Sequence, residues 1–457
     1  MTNDAQALKS DLQAVVRGAV HAPGDPTWDD ARKAWNLSVD QHPLAVVEVA
    51  DADDVVAAVR CAGRVDLPVV PQSTGHAATD DGVTGAILLR MHALDSVEVD
   101  TERRIARVGG GTMWKAVLDR LDDTGLLGLG GTAPMISVVG YTLGGGLSWF
   151  GRRYGLASAA VRSVDLVTAD GDQVTVTEES DPELFWALRG YGGEFGVVTS
   201  MEFDLFPSPG VVGARLMFPA GDTRAVLDAF SKLTAAAPPE LSVAATILHL
   251  PDAPFIPEDR RGRSFVAINA AHLGTLDECR TLLSGIVAAG DAIENDIRTY
   301  PMSEVGGIAE DPVDPSPAAD LTTLLRDFDS GTVERLLDVA GPDSGTRLLG
   351  VNIRHLGGAL AEAGSGNGGV AGAIDEPYLV FSFAVPGLSG SMDEIVDTHN
   401  GLHAALGDTA TGGAPYNFLG RGGPERAYDS AALDRLRTLK RRRDPQGRFR
   451  MTRPLPN

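Results

Sequence analysis

Between Gly128 and Leu156 the chain reads GLGGTAPMISVVGYTLGGGLSWFGRRYGL, with seven glycines ahead of Trp149. Leucine, valine, tyrosine and tryptophan separate those glycines, so the segment cannot all face water, and the missing side chains let its backbone approach a neighbour closely. A large flat or anionic group buried against that backbone is the economical expectation; close crossing of a helix over a strand is the other. The familiar nucleotide and hydrolase patterns do not apply. No G-x-G-x-x-G follows a strand with an acid further on, and G-x-x-x-x-G-K-[ST], G-x-S-x-G and H-E-x-x-H are all missing from the chain.

Upstream, PQSTGHAATD (residues 71–80) follows the apolar run LPVV. A glycine among small polar residues lets successive backbone N–H groups crowd around an anion, and His76 adds a nucleophilic ring at the edge of that turn. Around it the first part of the chain alternates strand and helix. PLAVVEV, DLPVVPQ and GAILLR read as strands, and DADDVVAAVRCAGR as a helix capped near Asp51. MWKAVLDRLDDTG has helical spacing with a glycine stop, and VRSVDLVTADGDQVTVTEES reads as a hairpin around a DG turn. DPELFWALRGYGG opens as a helix capped from Asp181.

At 457 residues the chain is too long for one ordinary core. Past Phe206-Pro207 the texture changes to longer strands and helices (SVAATILHL, RSFVAINAAHL, LDECRTLLSGIVAAG), as a second domain of α+β type would read. Residues 362–376 form a glycine-rich loop, and the chain closes with the helix SAALDRLRTLKRRRDP. The formal charge of −23 disfavours a nucleic-acid partner, which calls for a cationic face. Cys61 and Cys279 stand apart in no ligand or redox spacing, the N-terminal stretch is polar, and no run is apolar enough to span a membrane, so a cytoplasmic protein without a metal site is expected.

Taken in order, PQSTGHAATD, the glycine segment and DPELFWALRGYGGEFGVVTSMEFDLF resemble the berberine-bridge-enzyme-like flavoprotein oxidases of the vanillyl-alcohol-oxidase superfamily. PGDPTWDDARKAWN and YNFLG with LRTLKRRRDPQGRFR are similar to the two ends of that family, so the likeness covers nearly the whole chain. The resemblance implies an α+β fold: an FAD-binding domain of the PCMH type built from two α/β subdomains, with a substrate domain whose antiparallel sheet is backed by helices. The expected division is 1–206 for the FAD domain, with its core at about 40–207, then 207–400 for the substrate domain and 401–457 returning to the first.

The same resemblance implies that Gln72, Ser73, Thr74, Gly75, His76 and Ala77 wrap the FAD pyrophosphate, with His76 Nδ1 bonded to the flavin 8α-methyl. A covalent imidazole tether raises the flavin potential and keeps the cofactor in an open site. Gly131, Thr132, Ala133, Ser137, Gly140, Tyr141, Gly144, Gly145, Val198 and Asn417 are implied as further FAD contacts. Where many members carry a cysteine that forms a second bond, this chain has Ala133, so a single tether is expected. Ser137 replaces a usual glycine, and Tyr141 stands where the family places a His or Tyr near flavin N1. An aromatic base often precedes the C-terminal Asn by two residues; here that place is Pro415, with Tyr416 adjacent to Asn417.

The implied activity is hydride transfer from an alcohol, amine or sugar carbon to flavin N5, with Tyr141 or Tyr416 as base, a small-molecule substrate, and O2 reoxidising the flavin to give H2O2. A dehydrogenase with another acceptor and a monooxygenase or cyclase remain alternatives on the same scaffold. Neither substrate nor oligomeric state is readable. In LLGVNIRHLGGAL, alternation puts Asn352 and Arg354 on one strand face and His355 on the other.

Overall fold

A computed structural model of the chain describes residues 2–79, 82–362, 369–451 and 453–455. Asp80, at the end of the histidine stretch, and residues 363–368 of the glycine-rich loop lie outside the described residues. Three main sheets carry the α+β fold. The first has four strands in the order Val20–His21, Ala45–Glu48, Ile87–Arg90, Val69–Gln72; its last three run parallel. The helix Ala52–Arg64, capped by Asp51 accepting from the amides of Asp53 and Asp54, buries Val55, Ala58, Val59 and Ala62 against Val47, Ile87 and Leu89. The outer edge of Val69–Gln72 is completed from the far end of the chain: Val69 N donates to Arg448 O (2.7 Å) and Arg450 N to Val69 O (3.1 Å).

The second sheet is antiparallel, in the order Val97–Asp100, Ile105–Gly109, Val197–Asp204, Val161–Val167, Gln173–Val176. Its last two strands are the expected hairpin. Asp181 caps Pro182–Tyr191 as expected, accepting from Leu184 N. The helix expected from Met113 is short: Trp114–Leu118 is helical, and the chain then turns through Asp123 and Gly125, both at positive φ (59° and 69°), with Asp122 held by the amide and hydroxyl of Ser303. An acidic pair followed by Thr-Gly favours that turn over a further helical turn.

The third sheet has seven antiparallel strands ordered Glu294–Tyr300, Val211–Pro219, Ser264–Leu273, Leu241–His249, Gly350–His355, Tyr378–Ala384, Ala319–Leu325. Helices Thr223–Thr234, Leu276–Val287, Ser330–Ala340 and Met392–Leu406 cover one face, where Val243, Ile247, Ile268, Val351 and Ile353 meet Phe230, Leu283, Leu336 and Ile395. Alternation leaves Thr246, Asn352 and Arg354 on the bare face, as the sequence predicts for the last two. The boundary expected at 400/401 falls inside the helix Met392–Leu406, whose Ile395, Leu402 and Leu406 belong to the third-sheet core. A helix with one buried stripe cannot be divided between two cores, so any return to the first part begins after it.

Candidate active site

The strand Val69–Gln72 ends in the histidine loop. Gln72 is buried and exchanges two 3.0 Å hydrogen bonds with Gln41, which anchors the base of the loop. Ser73 Oγ donates to Gly110 O (3.1 Å), and Gly110 packs so closely beneath Val198 O that no Cβ would fit. Gly75 is left-handed at φ +83°, and Ala78 N returns to Gly75 O (3.2 Å) to close the turn. Among the described residues, the backbone amides of Ser73, Thr74, Gly75, His76 and Ala77 have no acceptor. Consecutive free N–H groups of this kind form an anion cradle.

His76 leaves that loop half-buried, with its ring stacked on Trp35 at 4.1 Å and 15° and its Nδ1 2.8 Å from Thr74 Oγ1. Burial pushes the imidazole down to about 4, so it is neutral and keeps a free lone pair at ordinary pH.

In the glycine segment several of the close approaches are to the protein itself. A Cβ on Gly128 would lie 2.9 Å from the Trp114 ring, on Gly131 3.0 Å from the Tyr141 ring and on Gly146 2.6 Å from Ala157; on Gly144 it would overlap Asn417 Oδ1. Those glycines are therefore required by protein neighbours, and their density alone does not demand a cofactor. Gly140 and Gly145 differ, having no such neighbour closer than 3.8 Å. The helix Val138–Leu143 starts at Ser137, whose Oγ caps it by accepting from Gly140 N at 3.3 Å. Asn417 Nδ2 donates to Tyr141 O (2.7 Å), locking the C-terminal segment to this helix.

A cavity of about 570 Å³ opens between Thr132 and the bare face of the third sheet. On its floor Asn352 Nδ2 donates to Thr246 Oγ1 (2.7 Å), and Arg354 Nε donates to Asn352 Oδ1 (2.8 Å) with its guanidinium 5.2 Å above the Phe418 ring. Burial lowers the Arg354 value, opposed by the charge of Asp311. Asp311 itself accepts a hydrogen bond from Thr132 Oγ1. Glu310, just before it, has a left-handed backbone at φ 53°, a conformation that costs energy outside glycine and turns the Asp311 side into the cavity. Elsewhere on the wall Arg215 and Arg260 are neutralised by Glu294, and Glu310 pairs with Arg215. Leu248, Leu250, Ile256, Phe381 and Phe383 make the remainder apolar.

Neither expected base lines this cavity, although Tyr141 is near enough to Arg354 to feel its charge. Tyr141 is buried against Gly131, Gly146 and the edge of Trp114; its hydroxyl has no partner among the described residues, and burial raises it far above 10. Tyr416 lies against Tyr191 and Tyr428 (5.0 and 6.0 Å), on the wall of a separate cavity of about 190 Å³, and is likewise raised by burial. His355 accepts from Arg152 Nη1 at 3.1 Å and is pushed down to about 3 by burial and that cation, a structural partnership. Trp35, Thr246 and Asp311 were not singled out by sequence; a lone Trp beside Asn and one Asp in the acidic run AEDPVD carry no distinguishing spacing.

Residues 43–177 match the family described as FAD binding domain. The (R)-6-hydroxynicotine oxidase of Paenarthrobacter nicotinovorans is 29% identical over 301 residues, and the match spans 64% of this chain and 62% of that protein's length. The berberine-bridge-enzyme-like 1 protein of Physcomitrella patens superposes with a TM-score of 0.83 over 98% of this chain and 99% of its own at 20% identity. Berberine bridge enzyme from Eschscholzia californica gives 0.81 at 16% identity, over 98% and 99%. The chain carries an FAD binding domain and shares the fold of the berberine-bridge-enzyme-like proteins. FAD fits the residues of this chain on two independent counts. Five successive free amides suit its pyrophosphate. The unpartnered Tyr141 hydroxyl, beside the half-exposed Gly131, Thr132 and Ala133, suits a polar ring edge.

Proposed function

We propose that the protein is an FAD-dependent oxidoreductase that oxidises a small molecule at a carbon bearing a hydroxyl or amine. The observation that carries this reading is the Thr132–Asp311–Arg354 cluster, a held carboxylate and an open guanidinium in a large apolar cavity beside the cofactor segment. When bound, FAD supplies the two-electron acceptor, and dioxygen is the oxidant that restores it, giving H2O2.

In this reading the chain's residues divide the work. The amides of Ser73 to Ala77 hold the pyrophosphate, with Gln72, Gly110 and Val198 as their backing. Gly131, Thr132, Ala133, Gly140 and Gly145 give the ring its space, and Tyr141 donates its hydroxyl to it, since the raised value keeps that proton in place. Ser137, Gly144 and Asn417 serve by positioning the helix that carries Tyr141. Asp311 accepts the substrate O–H or N–H proton. Thr132 orients one of its oxygens, and the other faces the cavity near Arg354. Arg354 and Asn352 orient the substrate heteroatom, and Leu248, Leu250 and Ile256 take its apolar body.

We further propose a single tether through His76, Ala133 leaving no second one. A bond at Nδ1 requires the Thr74 hydroxyl to turn away from that atom. Free, buried Cys61 and Cys279 favour a reducing, cytoplasmic setting.

The (R)-6-hydroxynicotine oxidase acts, by its name, on 6-hydroxynicotine, and the classes to screen are cyclic amines, sugars and hydroxylated aromatics. Anaerobic loss of the flavin's visible absorbance identifies a substrate, and air then returns it with stoichiometric H2O2. A protein bleached by none of these classes overturns the reading. Slow return in air replaces oxidase by dehydrogenase.

A further inference from the structure

We propose that Trp35 is the positioning residue that aims His76 for attachment to FAD, an inference that rests on the tether proposed above. The histidine ring is clamped on one face and one edge: Trp35 covers the face at 4.1 Å and nearly parallel, and Thr74 Oγ1 holds Nδ1 at 2.8 Å. The opposite face and Nε2 have no partner among the described residues.

Trp35 is itself fixed from both sides. Its amide donates to Thr74 O at 2.9 Å, within the very loop that carries the histidine, and its carbonyl accepts from Ser316 N at 3.1 Å. The next residue, Asn36, bonds both the carbonyl and the amide of Ala318 (each 3.1 Å), just before the strand Ala319–Leu325. Ala34 lies close beneath Gly75, where a Cβ would come within 3.0 Å of it. The stacked pair is thus keyed to the third sheet, and a ring that would otherwise rotate is presented in one orientation. Fixing a nucleophile in this way replaces a search with a near-attack arrangement. Burial also keeps the ring neutral, so the Nδ1 lone pair becomes available once the Thr74 hydroxyl turns away.

Attachment forms one N–C bond between imidazole and the 8α carbon and breaks one imidazole N–H and one methyl C–H. The two electrons and two protons released are taken up by the bonded FAD, and dioxygen removes them as H2O2.

The test compares full-length wild type, Trp35→Leu, Trp35→Phe and His76→Ala, each saturated with FAD. Flavin retained in the acid-precipitated pellet is followed over time, beside native FAD binding and thermal melting. Trp35→Leu is expected to bind FAD with unchanged melting yet attach it at least tenfold more slowly, with Trp35→Phe, a smaller stack, in between. Attachment by Trp35→Leu at the wild-type rate overturns the inference. Should Trp35→Leu not fold, Trp35→Phe decides: slower attachment at equal FAD affinity supports the role, and an equal rate overturns it. Wild type that surrenders all its FAD to acid overturns the tether and with it this inference, whereas attached wild type with indifferent Trp35 variants removes this inference alone.

Discussion

At the scale of single residues, the cavity separates groups that can move a proton from groups that only look able to. Asp311 is oriented by Thr132 and faces the open cavity near Arg354, while Tyr416 is closed in among tyrosines. Asp311→Asn keeps the hydrogen bond from Thr132 and removes the basic oxygen. It is expected to slow anaerobic flavin reduction by ~10²- to 10⁴-fold, the ordinary worth of a positioned base, with FAD content unchanged. Tyr416→Phe is expected to slow it less than about threefold in the same stopped-flow measurement. The sequence showed His76 clearly, because Gly75 and its small polar neighbours announce a tight anion-binding turn. Asp311 was invisible there, since its role depends on a left-handed Glu310 and on Thr132, 179 positions away in the chain.

At the scale of elements, legibility followed locality. Caps at Asp51 and Asp181 and the hairpin Val161–Val167 with Gln173–Val176 rest on a few neighbouring residues, and all were readable. The glycine segment left two readings open because its constraint is tertiary: Trp114, Tyr141, Ala157 and Asn417 lie against Gly128, Gly131, Gly146 and Gly144, while Gly140 and Gly145 stay open. Gly144→Ala therefore drives a methyl into Asn417, breaks its bond to Tyr141 O, and is expected to lower the melting temperature and loosen FAD together, measured by calorimetry and flavin release. The turn after the helix Ser430–Arg443 is a second such element. Asp444, fully buried, accepts from the amides of Arg448 (2.7 Å) and Phe449 (2.8 Å) and from Lys440 Nζ (2.8 Å). Asp444→Ala leaves two buried amides without an acceptor and removes one of the two carboxylates that face Lys440, the other being Glu194, and is expected to cost about 3 kcal/mol in denaturant unfolding.

At the scale of the whole molecule, acid is expected to destabilise the fold through histidines buried in neutral form. His355 is held at about 3 and His399, bonded to Ser382 Oγ at 2.7 Å, at about 4, both by burial. Their unfolded values are near 6.5, so below that pH the unfolded chain takes up protons that the folded one refuses. Stability is full above about pH 6.5 and falls as pH drops toward 4. His399→Gln, which keeps a hydrogen-bonding atom near Ser382, is expected to show a smaller drop in melting temperature between about pH 7 and about pH 5. One further consequence follows from the pairing of Val69 with Phe449. The strand that roots the histidine loop gains its outer neighbour only when translation has passed that distant residue. A flavin that needs this loop fully rooted is therefore captured only after those later residues have been made.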